Sequence, residues 1–208
     1  MNFRRANKTE IGTCTDIIKD AFYGYEFFEV YVDDPQQRRL FFETMMEGWM
    51  ESSSKKGTVL IAEQKGEITA VAVLKEPDGE EIDLVDLESP QSSRMIAIGG
   101  RQNVEQFKEM CEISDKACRS LPDPKWHLVL LAVPKKWGGQ GIGSRMLQEG
   151  ILPYIASCGG GLLTFNTNVQ KNRLFYKKNG FEEFEGEIIH RNGKEVGNWS
   201  YKIMVREK

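Results

Sequence analysis

The hydrophobic and polar positions fall into a regular order along the chain. Leu128-Val129-Leu130-Leu131-Ala132-Val133 is a continuous apolar run, the pattern of a strand buried on both faces. Gly161-Leu162-Leu163-Thr164-Phe165-Asn166 reads as a second buried strand. Val59 to Ala62 and Ile68 to Leu74, joined around Lys65-Gly66, predict a hairpin, and Asn192-Gly193 predicts the turn of another near the C-terminus. Met1 to Ala6 reads as a first strand. Helical spacing is expected from Thr9 to about Tyr23, with Ile11, Cys14, Ile17, Ile18, Ala21 and Phe22 as its apolar stripe. It recurs from Pro35 to about Met50, with Leu40, Phe41, Thr44, Met45 and Gly48 inward, and from Val104 to Arg119. A short helix through Asn172 to Asn179 is stopped by Asn179-Gly180. The acidic stretch Gly79 to Asp86 has no settled pattern and reads as a solvated loop or short helix.

The first buried strand ends at Pro134-Lys135-Lys136-Trp137, and Gly138-Gly139-Gln140-Gly141-Ile142-Gly143-Ser144 then feeds a segment of good helix formers. A glycine-rich turn entering a helix gathers unpaired N–H groups beside the positive end of the helix dipole, which makes an anion site, most often for phosphate. A nucleoside-triphosphate loop needs a lysine between the last glycine and the hydroxyl residue, and here Ser144 follows Gly143 directly. A dinucleotide fold wants G-x-G-x-x-G and a later carboxylate. This chain has G-x-G-x-G, and Asn166 at the end of the next strand. The pyrophosphate of coenzyme A and a ligand-free turn stay open on the loop alone. Asn172 and Tyr176, four apart, share a face of the short helix.

From Trp126 to Phe181 the chain resembles the GCN5-related N-acetyltransferase (GNAT) family. The glycine loop Gly138 to Gly143 is similar to that family's pyrophosphate loop, and Asn172, Tyr176, Gly180 and Phe181 match its N-x-x-x-Y-x-x-x-G-F element, in the same order. Within the family the chain looks most like the puromycin N-acetyltransferase branch. The residues carrying that likeness are Ala70-Val71-Ala72-Val73 with Pro77, Arg94-Met95 before a helix, and the core from Trp126 to Leu147. The first loop position, usually Gln or Arg, is Gly138 here, which removes a side-chain contact to phosphate and leaves the backbone donors. Where the family often carries Glu, this chain has Asn166, so no role for that carboxylate carries over.

The resemblance implies one α/β domain over residues 1–208, with a mixed, mostly antiparallel sheet of about six to seven strands flanked by helices. It implies transfer of an acetyl group from acetyl-CoA directly to a primary amine, on a small molecule. A protein or peptide acceptor, or a CoA-binding sensor without turnover, are the other readings. Leu131 and Val133 would pair with the pantetheine arm as a strand does. Gly138, Gly139, Gln140, Gly141, Ile142, Gly143 and Ser144 would hold the pyrophosphate, with Asn172 tying its helix to the cofactor. Tyr176 would be the general acid to the departing sulfur, since a phenol is protonated at neutral pH. The aromatic residues Tyr23, Tyr25, Phe27, Phe28, Tyr31, Phe42 and Trp49 would pack the core or contribute to the acceptor pocket.

The rest of the composition narrows the class. A formal net charge of −3 over 208 residues argues against a general nucleic-acid or anionic-membrane binder. No run approaches the ~18 apolar residues of a membrane span, and a cytoplasmic protein is expected. Cys14, Cys111, Cys118 and Cys158 lack C-x-x-C spacing and only His127 and His190 accompany them, so no metal site is expected. The oligomeric state is open, a homodimer included. No general base stands out. His127 lies about 20 Å from Val133 at about 3.3 Å per residue and reads as structural, while His190 serves only if the terminal hairpin folds over the site.

Overall fold

The computed structural model describes residues 1–82 and 87–208, so residues 83–86 of the acidic stretch lie outside the described residues. Strands β1 (Asn2–Arg5), β2 (Thr58–Gln64), β3 (Glu67–Lys75), β4 (Lys125–Ala132), β5 (Gly161–Thr167), β6 (Glu182–Arg191) and β7 (Lys194–Val205) form one sheet in the order β1-β2-β3-β4-β5-β7-β6. Every neighbouring pair is antiparallel except β4 and β5. This is the mixed, mostly antiparallel sheet that the resemblance implies.

Side chains of alternate strand residues feed two cores. Val59 and Ile61, with Val71 and Val73, face one core together with helices α1 (Ile11–Phe22), α2 (Glu26–Glu29), α3 (Pro35–Lys56), α4 (Pro90–Gly99) and α5 (Arg101–Arg119). Leu60, Ala62, Ala70, Ala72 and Leu74 face the other. There the glycine loop leads into α6 (Ile142–Arg145), a π-helical stretch (Met146–Ile151) and α7 (Leu152–Ser157), and α8 (Gln170–Lys178) packs beside them.

Helix starts follow local chemistry. Asn7 and Glu10 cap each other's backbone before α1. The Asp34 carboxylate accepts from the Gln36 and Gln37 amides, with Pro35 at the first turn of α3. Ser89 caps α4, again before a proline. Three expectations need correcting. Helix α3 runs past Met50 to Lys56 and stops at Gly57, where a Cβ would stand 2.7 Å from the Leu74 carbonyl. Leu40 is not inward but 49% exposed, while Phe42, Met46 and Trp49 are buried. Arg94 and Met95, placed ahead of a helix, lie inside α4.

Strand β4 is not buried on both faces throughout: Trp126, Leu128, Leu130 and Ala132 are buried, and the residues between them only half-buried. Trp126 and Leu128 face the second core, whereas Leu130 and Ala132 face the first. The face switches because Val73 is paired with Leu130 but Leu74 with Leu128. Val129 is the extra residue of a β-bulge, a device that re-aims a strand. Among the described residues, no helix is long and apolar enough to cross a membrane.

Candidate active site

Strands β4 and β5 pair only at Lys125–Leu162, Trp126–Leu163 and His127–Thr164. Beyond that rung β4 stays with β3 as far as Ala132, and β5 stays with β7 as far as Thr167. The two parallel strands therefore part into a V whose closed end is the His127–Thr164 rung and whose opening faces the glycine loop. The main-chain groups of Leu128 to Ala132 that face β5 have no strand partner there, and the bulge at Val129 falls just inside the vertex.

At the mouth of the V the glycine loop leaves its amides free. Gly138 N–H donates to the Lys135 carbonyl at 3.0 Å, and the next loop amide with an acceptor is that of Arg145, to Gly141 O at 3.0 Å. Those of Gly139, Gln140, Gly141, Ile142, Gly143 and Ser144 have no acceptor among the described residues. Gly139 and Gly141 hold φ of +75°, which side chains resist. Gly143 lies so close to α8 that a Cβ would stand 3.2 Å from Phe175 Cζ. Six converging donors at a helix start suit a diphosphate, so the cradle fits the pyrophosphate of coenzyme A. Of the residues assigned to it, Ile142 offers only its amide, since its side chain is buried in the second core. Ser144 Oγ already accepts from Asn179 Nδ2 at 3.1 Å.

Helix α8 brings Tyr176 to the vertex from the second-core side. Its ring lies 4.4 Å from that of Phe165, the first β5 residue beyond the last rung, and 5.3 Å from that of Tyr201. The phenol lines the cavity described below and has no hydrogen-bond partner among the described residues. Burial pushes its pKa up, with the neighbouring Tyr25 and Tyr201 hydroxyls adding to the shift. Asn172, one turn earlier, does not stand free for a ligand: its Nδ2 donates to Thr167 Oγ1 at 3.0 Å, tying α8 to the end of β5. Tyr25 from the other face completes that knot, its hydroxyl accepting from the Asn168 amide at 3.0 Å.

Helix α5 overhangs the V and borders a half-open cavity of about 520 Å³, which reaches Leu128, Phe165 and Tyr176 of the second core as well. Phe22, Tyr25, Phe28 and Trp49 wall one end, and β4 from His127 to Leu131 forms part of the floor. The aromatic residues of the N-terminal half thus serve both as core and as cavity wall, whereas Tyr23 is 51% exposed. Asn166 also lines the cavity, its Nδ2 donating to Asp115 Oδ1 at 2.6 Å and to the Ser114 carbonyl at 3.2 Å. Asn166 thus holds a carboxylate of α5, that of Asp115, beside the cavity. Glu112, one turn earlier on the same helix, lines the cavity without an ion pair among the described residues. Neither α5 residue was legible as a site residue, because helical spacing shows which face is apolar and not what that face roofs.

The two histidines are placed as follows. His127, set about 20 Å from the strand end by the ~3.3 Å rise per residue, belongs to the closing rung and lines the cavity. His190 is exposed in the terminal hairpin, near Glu195 at 3.7 Å, and is not among the cavity residues.

Residues 105–183, from within α5 to the start of β6, match the profile of the family described as Acetyltransferase (GNAT) domain. No curated protein matches the chain. Solved structures share the fold. One is histone acetyltransferase HPA2 and related acetyltransferase from Corynebacterium glutamicum, with TM-score 0.68 and 18% identity, covering 100% of this chain and 96% of that one. Another is Drosophila melanogaster polyamine N-acetyltransferase, which catalyses formation of N-acetylagmatine, with TM-score 0.59 and 13% identity over 98% and 99% of the two chains. A third is the ribosomal-protein-S18-alanine N-acetyltransferase of Escherichia coli, with TM-score 0.57 and 10% identity over 100% and 95%.

Proposed function

We propose, on the match of residues 105–183 to the acetyltransferase (GNAT) domain profile and on the geometry of the site, that the chain moves the acetyl group of acetyl-CoA onto the primary amine of a small molecule. The observation that carries this reading is the succession of three features along β4 and the loop that follows it: the free amides of residues 139–144, the V between β4 and β5, and the cavity that β4 lines. A half-open cavity of about 520 Å³ lies in the range of small-ligand sites and has room for a compact acceptor.

Acetyl-CoA supplies an activated acyl group as a thioester. The loop amides bind the pyrophosphate at the mouth, and Val133, just past the end of β4, together with the unpaired edge of β4 from Ala132 inward, takes the pantetheine arm in the manner of an added strand. From Val133 to the bulge at Val129 is about 13 Å at ~3.3 Å per residue. The His127–Thr164 rung stops anything from passing deeper, so the thioester rests against the bulge. Main-chain N–H groups there polarise the carbonyl as negative charge develops on its oxygen. The amine enters from the cavity side and its nitrogen bonds the carbonyl carbon. As the carbon–sulfur bond breaks, Tyr176 gives its proton to the sulfur. A phenol with a raised pKa remains protonated through neutral pH and ready for this step. Net, an ammonium and a thioester become an amide and a thiol, and one proton goes to solvent.

The test is thiol release from acetyl-CoA against a panel of small amines and of peptides bearing free α-amino or lysine groups, beside calorimetry of CoA binding. Turnover of small amines in preference to peptides is the expected result. Turnover of peptides alone overturns the acceptor assignment, and tight CoA binding with no turnover on either set turns the reading to a sensor.

A further inference from the structure

The vertex of the V holds a histidine that the mechanism above leaves unused, and its hydrogen bonds determine which ring nitrogen is bare. His127 Nδ1 lies 3.2 Å from Thr164 Oγ1. Thr164 Oγ1 in turn donates to the Trp126 carbonyl at 3.1 Å. A hydroxyl has one hydrogen, and a carbonyl only accepts. Thr164 also hydrogen-bonds the Cys118 thiol; the arrangement that leaves the Trp126 carbonyl satisfied gives it the Thr164 hydrogen and has Thr164 accept from His127, which assigns the imidazole proton to Nδ1. Nε2 is then a lone-pair acceptor, and it has no partner among the described residues.

The position is also right. His127 forms the last β4–β5 rung, its side chain lines the acceptor cavity, and the bulge residue Val129 is about 7 Å along the strand at ~3.3 Å per residue. Tyr176 reaches the same cavity from the second core, so the two titratable groups both border the thioester position. We infer that His127 is the general base of acetyl transfer, its Nε2 taking the proton from the acceptor ammonium as the amine docks in the α5-roofed cavity. This rests on the acetyltransferase reading above and adds the proton's path to it. The step balances as R–NH₃⁺ plus neutral imidazole giving R–NH₂ plus imidazolium, which returns its proton to water through the cavity mouth.

The surroundings set the charge state of the ring. Burial lowers the His127 pKa below its ordinary 6.5, so the ring is neutral at physiological pH. Asp115 on α5 and Glu81 after β3 oppose that shift, while Lys75 on β3 and Arg119 on α5 reinforce it. Cys118, also on α5, stays a neutral thiol because burial pushes it up to about 12. Asp115 faces the same cavity and stabilises the imidazolium once it forms.

Two measurements decide the matter. Nitrogen-15 spectra of the wild-type imidazoles, assigned with a His190→Gln variant, are expected to show His127 in the Nδ1–H tautomer with a pKa below 6.5. An Nε2–H tautomer overturns the proposal whether or not an acceptor has been found. His127→Asn keeps a donor toward Thr164 but has no base. With the panel amine that the wild type acetylates fastest, this variant is expected to lose about 100-fold or more in kcat/KM, together with the acidic limb of the pH profile, at unchanged CoA affinity. An acidic limb that survives in His127→Asn overturns the proposal while leaving acetyl transfer intact. If no panel amine is acetylated, the parent reading falls and the proposal with it, a result told apart by the tautomer measurement.

Discussion

At Tyr176 the packing that desolvates the phenol also strips its hydroxyl of internal partners. An unpaired hydroxyl in a mostly buried position costs stability that its removal returns. Tyr176→Phe is therefore expected to melt no lower than the wild type while kcat falls about 100-fold or more, a pairing readable from a thermal melt and steady-state kinetics. A second residue-scale case concerns pH. Hydrogen bonds from Arg4, helped by the Asn7 amide, hold Glu10 down at about 2 from its ordinary 4.5. A carboxylate depressed on folding contributes stability above its unfolded pKa and loses it as pH falls toward the folded value. The wild type should exceed Arg4→Met in Tm at pH 7, with the gap narrowing between pH 5 and pH 2.

Among the elements, the glycine loop and α8 act together. Gly143 admits the Phe175 ring at close range, Asn179 Nδ2 donates to Ser144 Oγ, and Gln148 Nε2 donates to the Asn179 carbonyl at 2.8 Å. Holding Gly141 at φ +75° is the local requirement. Gly141→Ala should cost about 1 to 2 kcal/mol in denaturant unfolding and weaken CoA binding measured by calorimetry. The loop-to-helix junction and the α8 stop were readable in the sequence because glycine and asparagine carry positional meaning. The π-helical stretch was not. It precedes Pro153, whose ring cannot sit in an unbroken α-helix. Helix α2 also escaped, being a single turn whose phenylalanines face the core beside cavity residues.

For the whole molecule, the sheet was legible from periodicity, and the loop with free amides from the glycine spacing. The acceptor side was not, since it arises where distant segments meet: α5 over β4, with Phe28 and Trp49 closing the end. The strand distance to His127 ran to the end of β4, whereas the V closes at the rung that His127 shares with Thr164. Glu112 belongs to this scale, as it contributes charge at the roof of the cavity. Glu112→Gln is expected to raise KM for cationic amines several-fold and leave kcat unchanged. That difference should shrink with added salt, because screening reaches about 10 Å at 0.1 M.

The paired rung that closes the V also makes the enzyme a gauge of acyl length. On the proposed path a two-carbon donor ends at the bulge, and since the rung bars the way deeper, each further methylene must turn aside into the space the incoming nucleophile occupies. Propionyl- and butyryl-CoA should bind as well as the acetyl donor yet compete with the amine, raising its KM stepwise, as initial-rate comparison of the three thioesters will register.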